Sequence, residues 1–246
     1  MFYIKEFLNN PAGKGATVLN ISAVKDKFTE RYNSIVSDID YSIYIVKKDV
    51  YFLVNIPSSV KGIKYDILVK FEPTSKSTGK SLSDMSMKIF SNSPSFLYTY
   101  AHAYDVQGLF IKECKRKLSS QMLTDIAKSK NPYGILSYDF SVFAALHFIV
   151  SNDYLSMDVI NQYGQKTVKS EVLKHVKNAD ILQKDRKLQK TANKLEEEKE
   201  LKKKKKAITS KKVSDDDNTD IIKDVKTTKK TKIVKSVKTT KKVKKK

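Results

Sequence analysis

Residues Ser42 to Pro57 read SIYIVKKDVYFLVNIP, two β-branched and aromatic runs split by Lys47, Lys48 and Asp49. Such side chains suit a pleated, half-buried surface, and a short polar break between two of these runs marks a β-hairpin. Pro57 ends the second run because it has no N–H for the ladder. Downstream, Tyr65, Ile67, Val69 and Phe71 alternate with Asp66, Leu68 and Lys70, which predicts a third strand with one apolar face. Met85, Met87 and Ile89 repeat the alternation and predict a fourth. Four strands in this order, joined by short or polar connections, favour an antiparallel sheet.

On the N-terminal side, Val24, Phe28, Tyr32 and Ile35 fall on one helical face of SAVKDKFTERYNSI, so a helix precedes the hairpin. On the C-terminal side, Phe96, Tyr98, Tyr100, His102 and Tyr104 occupy alternate positions and predict a fifth aromatic-faced strand, packed under a helix rather than stacking bases. Leu109 to Lys128 suits one or two helices. Asn131-Pro132-Tyr133-Gly134 signals a turn. After it, Ser137 can cap and Asp139 can favour the positive end of SYDFSVFAALHFIV, a helix apolar on nearly every side and so expected at the centre of the body. Ser156 to Val176 reads as two helices broken at Gly164, with Val168, Val172 and Val176 in one stripe of the second. A short solvated helix then covers 181–206, where Ile181, Leu188 and Leu195 lie seven apart but charged Asp185 and Lys199 break a coiled-coil seam.

The chain has 246 residues and a net charge of +21, enough for one or at most two folded units. From Lys184 onward there are 25 basic and 10 acidic residues, a net +15, and no aromatic residue follows Tyr163. The segment 207–246 is low in complexity, and Val225-Lys226-Thr227-Thr228-Lys229-Lys230 recurs as Val237-Lys238-Thr239-Thr240-Lys241-Lys242. Without bulky side chains to repay the entropy of ordering, it is expected to be a disordered polycation. No run of about 18 apolar residues exists, which excludes a membrane-spanning helix. The N-terminal MFYIKEFLNNPAGKG lacks the pattern of a secretory signal. A lone Cys114 cannot form an internal disulfide, and His102, His147 and His175 give no zinc-site spacing.

Several residues could carry chemistry. Ser77-Thr78-Gly79-Lys80-Ser81 has the end of a phosphate-binding loop, but the position of its first glycine is Thr74, and the residues after it alternate as a strand does. Asp38 and Asp40 lack a third acid to complete a metal site. Cys114 precedes Lys115, Arg116 and Lys117, cations able to lower a thiol pKa, yet no His or Asp partner is placed beside it. The residues thus point to no catalytic group, cofactor or metal. The strongest signal is charge: Lys202, Lys203, Lys204, Lys205 and Lys206, then Lys226, Lys229, Lys230, Lys238, Lys241 and Lys242. Lysines without interleaved aromatics supply attraction but neither stacking nor bidentate base reading, so the expected partner is nucleic acid or an acidic protein surface, bound without sequence specificity. Only Arg31, Arg116 and Arg186 among the 48 cations are arginine. The alternative reading is a DNA-binding regulator in which residues 156–176 form a helix-turn-helix presenting Lys166, Lys169 and Lys174.

Phe90-Ser91-Asn92-Ser93-Pro94 with Phe96, Tyr98, Tyr100 and Ala101, followed by Lys130-Asn131-Pro132, Ser137-Tyr138 and the apolar helix, resembles small structural proteins of tailed phages of low-GC hosts over about residues 65–150. That resemblance implies a non-enzymatic virion or assembly component, found in the virion or host cytoplasm and bound to other structural proteins of a particle. The expected architecture is α+β: a body over 1–180 with an antiparallel sheet and helices on one face, a charged helix over 181–206 and the Lys-rich tail. The oligomeric state is open.

Overall fold

The computed structural model describes residues 1–10, 21–118, 131 and 133–212. Two units divide the chain, Met1–Glu198 and Lys199–Lys246. The first is a mixed α+β fold on a five-stranded sheet of order β4-β3-β2-β1-β5. The strands are β1 (Asp40–Val46), β2 (Asp49–Pro57), β3 (Lys64–Glu72), β4 (Ser86–Ser91) and β5 (Gln165–Lys166).

The predicted hairpin forms with Val46 opposite Asp49, and Lys47 takes the positive φ of 58° that tight hairpin turns use. β2, β3 and β4 continue antiparallel, with Phe52 opposite Val69 and Val69 opposite Ile89. The fifth strand differs from the sequence reading. It is the two-residue β5, parallel to β1 through Tyr44–Gln165 and Ile45–Lys166, so the sheet is mixed rather than wholly antiparallel. The outer edge of β4 is covered as well: Met87 N donates to Phe2 O at 2.7 Å and Ile89 N to Leu109 O at 2.7 Å, so its backbone groups are paired rather than left as a template for association.

Helices α1 (Ile4–Asn9) and α2 (Ile21–Asn33) precede the sheet, and α5 (Phe140–Ser151) lies across it. Between β4 and α5 come α3 (Pro94–Thr99), α4 (Ala101–Val106) and a 3-10 turn, Lys112–Lys117. The aromatic run is therefore not a strand. Ser93 Oγ accepts from Phe96 N and Pro94 opens the first turn, so capping and a preset φ commit the segment to helix. Phe96, Ala101 and Tyr104 then point inward. The other predicted helical residues between Leu109 and Lys128 are extended at Leu109–Ile111 and, from 119 onward, lie outside the described residues.

As the sequence predicted, α5 is the centre of the body: nine of its residues are buried, including Phe143, Leu146 and Ile149. Full burial of each such side chain contributes about 1.5–3 kcal/mol. Its cap is Asp139 alone, accepting from Val142 N; Ser137 sits outside the helix, and its carbonyl accepts from Tyr104 Oη instead. Phe148 and Tyr154 bring α5 and the residues after it onto the face carrying Tyr41 and Phe52.

The opposite face is not bare, which corrects the expectation of helices on one side. Asp66, Leu68 and Lys70 are as buried as their neighbours. α7 (Lys169–His175) stacks His175 on Tyr44, and the residue after Val176 donates its N–H to Asp66 at 2.8 Å. Phe110 meets Phe90 edge-on from the same side. Before α7, α6 (Met157–Tyr163) ends at Gly164, where a Cβ would stand 2.5 Å from Ile160 O and 2.8 Å from Ile45 Cδ1. The φ of −78° suits any residue, so close packing against β1 is what requires glycine. Gly164→Ala should cost about 1–3 kcal/mol by overpacking, read as a fall in urea midpoint at constant slope; an unchanged midpoint would show that β5 can move off β1 freely.

α8 (Ala179–Lys212) is longer than the short helix expected over 181–206. Ala179 and Leu182 are buried, and Tyr98 Oη donates to Gln183 Oε1 at 2.9 Å, so the start of α8 belongs to the first unit. Ile181, Leu188 and Leu195 are exposed, in keeping with a solvated helix. No helix among the described residues is long and apolar enough to cross a membrane.

Candidate functional site

Of the lysines singled out by charge, Lys202 to Lys206 lie on α8, in the unit that begins at Lys199, and Lys202 and Lys203 are exposed. Helix persists through this cationic run for a local reason. Lysines near a helix C-terminus complement its dipole, and this run closes α8. Lys226, Lys229, Lys230, Lys238, Lys241 and Lys242 lie outside the described residues.

The loop resembling a phosphate-binding motif is spent on its own structure. Asp84 accepts from Thr78 N at 2.7 Å and Thr78 Oγ1 at 2.6 Å, and these bonds hold its carboxyl below the usual carboxylate range. Ser81 Oγ accepts from Ser83 N and donates to Leu155 O at 3.1 Å. The chain then makes a 3-10 turn, Leu82–Asp84, and enters β4, in line with the sequence reading.

Near the hairpin the Asp40 carboxylate is likewise committed. Lys64 Nζ reaches Asp40 Oδ2 and the Asp38 carbonyl, each at 2.6 Å. They border a groove of about 860 Å³ with Asn55, Asp66 and His175. Burial raises the Asp66 pKa, although Lys177 N, Asn55 and Asn92 all donate to its carboxylate. Every one of those donors comes from another element, so Asp66 joins β2, β3, the end of β4 and the chain before α8.

Lys70 is a buried amine held between Asp49, at 2.9 Å, and Glu72. Burial opposes its charge, but hydrogen bonds to Glu72 and Asp49 prevail and raise its pKa, the reverse of what a nucleophilic amine needs. Cys114 is fully buried, and burial pushes its thiol up to about 12 despite Lys117 and Arg116, against the lowering its neighbours in sequence could supply. His147 stacks on Phe143 and meets Tyr32 edge-on; burial lowers its pKa, which keeps it neutral at pH 7.

The helix-turn-helix segment contains β5 between α6 and α7 rather than a tight turn. Two lysines of its second helix are paired, Lys169 with Glu113 and Lys174 with Glu171, each at 2.7 Å. No group of three or more His, Cys, Asp or Glu side chains suited to a metal is found among the described residues.

One concave site was missed by sequence reasoning. A cavity of about 390 Å³ is bordered by α2, the loop after β2, the starts of α3 and α5, and α8, and it is lined by both Arg31 and Arg186. The signal that could have found it is the scarcity of arginine in a lysine-rich chain. Comparison with known proteins finds no matching family model, no similar curated protein and no similar solved structure.

Proposed function

We propose that this is a non-enzymatic polyanion-binding protein that holds nucleic acid, without reading its sequence, through Lys202 to Lys206 and the Lys-rich segment beyond. The observation that carries this reading is the asymmetry of charge: +15 of the net +21 lies from Lys184 onward, with no aromatic residue beside it. Polyanion binding of this kind is driven by release of condensed counterions, for which spaced ammonium groups suffice. The first unit supplies shape, and the setting proposed is a particle, in which packaged nucleic acid and other structural proteins are the partners.

Duplex DNA affinity of the full chain should fall about 1,000-fold between 50 and 200 mM salt if about six phosphates are neutralised. Replacing Lys226, Lys229, Lys230, Lys238, Lys241 and Lys242 together by Gln should flatten the slope of log Kd against log salt by up to about 5. Scrambling the DNA sequence should change nothing. A salt slope unaltered by the six substitutions, or a strong preference for one sequence, would overturn the proposal.

A further inference from the structure

The cavity lined by Arg31 and Arg186 departs from the rest of the chain in its choice of cation. Forty-five of 48 basic residues are lysine, yet among the described residues no lysine lines this cavity and two of the three arginines do. Arginine presents a planar, permanently charged fork that matches phosphate or carboxylate in two parallel hydrogen bonds, which a lysine ammonium cannot do. Neither arginine forms an ion pair among the described residues. The Arg31 guanidinium lies 3.8 Å over the Phe140 ring, an arrangement that orients the plane while leaving its N–H edges available. Arg186 Nε is buried without a hydrogen-bond partner among the described residues, a donor that normally costs free energy when left unmatched.

The remaining lining completes an anion site. Ser59 and Ser95 add hydroxyls that make no side-chain hydrogen bond among the described residues, and Tyr65 and Tyr100 bring phenols. Asp139 is the opposing charge. Its two oxygens are already taken by Ser93, Ser141 and Val142 N, which spreads its charge into the fold and away from the cavity.

We propose that this cavity binds a phosphoryl group, gripped by Arg31 and Arg186 with serine hydroxyls on its remaining oxygens. The site is separate from the Lys-rich segment and stands or falls independently of it. The source of the phosphoryl group is either free phosphate or the terminal phosphate of a nucleic-acid strand.

Titration calorimetry on the full chain separates these. Inorganic phosphate should bind saturably, and Arg186→Gln and Arg31→Gln should each weaken it about tenfold or more, the value of a charge-assisted hydrogen bond. The six-lysine Gln variant should bind phosphate as wild type does while showing the flattened salt slope for duplex DNA. A short oligonucleotide carrying a 5′-phosphate, compared with its unphosphorylated twin, identifies the source: an increment abolished by Arg186→Gln assigns a strand terminus, and no increment beside retained phosphate binding assigns the free anion. Arg31 is exposed, so Arg31→Gln keeps the test decisive if the Arg186 variant folds poorly. Absence of saturable phosphate binding, binding indifferent to both arginines, or binding lost only with the six lysines would overturn the proposal.

Discussion

Lys70→Met should destabilise the protein by about 3 kcal/mol at pH 7, a fall in Tm of about 6–12 °C for a chain of this size. Lys70 sits in the middle of the sheet, opposite Tyr51 on one side and Lys88 on the other. Two lysines directly opposite one another are tolerated because Glu72 bridges them, one carboxylate oxygen to Lys70 and the other to Lys88 at 2.6 Å. Asp49 at the hairpin end completes the set. Methionine fills the volume but leaves Asp49 and Glu72 short of a cation in a site where Lys70 itself is only 5% exposed. Each carboxylate side chain keeps about a quarter of its exposure, 27% and 26%, so water relieves part of the cost and the lower end of the usual range applies.

The pH dependence carries a sign that distinguishes this account from loss of packing. Burial alone would raise the Glu72 pKa, but hydrogen bonds from Lys70 and Lys88 overcome it and hold the carboxyl below its ordinary value. A depressed carboxylate pKa contributes stability that is present above the unfolded value, about 4.3, and is lost as pH falls through the folded one. The raised pKa of Lys70 acts at the other end: its contribution is complete below about 10.4 and disappears only as pH climbs past the folded value. The gap between wild type and Lys70→Met, measured by urea unfolding, should therefore be constant from pH 6 to 8 and shrink toward pH 3. A gap that stays the same at pH 3 would assign the loss to packing.

The same residues show why the fold was only partly legible. The hairpin, β3 and β4 arise from period-2 runs whose turn residues are adjacent in sequence, so local chemistry is enough. In β3, by contrast, Asp66 and Lys70 alternate with apolar neighbours as solvent-facing residues do, and they are buried because Asn92, Lys177 and Asp49 reach them from other elements. Such partners are invisible to a pattern read along one strand. The aromatic segment failed differently. Phe96, Tyr100 and Tyr104 satisfy both a period of two and a period near four, and only the Ser93-Pro94 start decides between them. β5 has two exposed polar residues and no sequence signal; it pairs because Gly164 lets the chain pass close to Ile45. For the candidate sites, a lysine run announces itself, whereas Arg31 and Arg186 converge only through the packing of α2 and α8.

Asp139→Ala should cost about 3–5 kcal/mol and lower Tm by about 6 °C at the least. The carboxylate caps α5, the element on which the body is built. Oδ1 accepts from Val142 N at 3.0 Å and Ser141 Oγ at 2.8 Å, while Oδ2 accepts from Ser93 Oγ, the same hydroxyl that caps α3. Alanine removes the cap, worth about 1 kcal/mol, and strands two buried hydroxyl donors at about 1–3 kcal/mol each unless they turn to other acceptors. Asp139→Asn keeps one oxygen and should recover part of the loss. Burial raises the Asp139 pKa against the pull of Ser93 and the other donors, so between about 3.9 and its folded value the native state binds more proton than the unfolded one. Stability from this group therefore falls as pH rises through that window, whereas an amide contributes no such slope. The deficit of Asp139→Asn relative to wild type should accordingly narrow from pH 4 to pH 7 in urea unfolding. Asp66, whose pKa is also raised by burial, is common to both proteins and cancels from the comparison. An alanine variant within about 1 kcal/mol of wild type would mean that the two serines find other acceptors and that α5 does not need its cap.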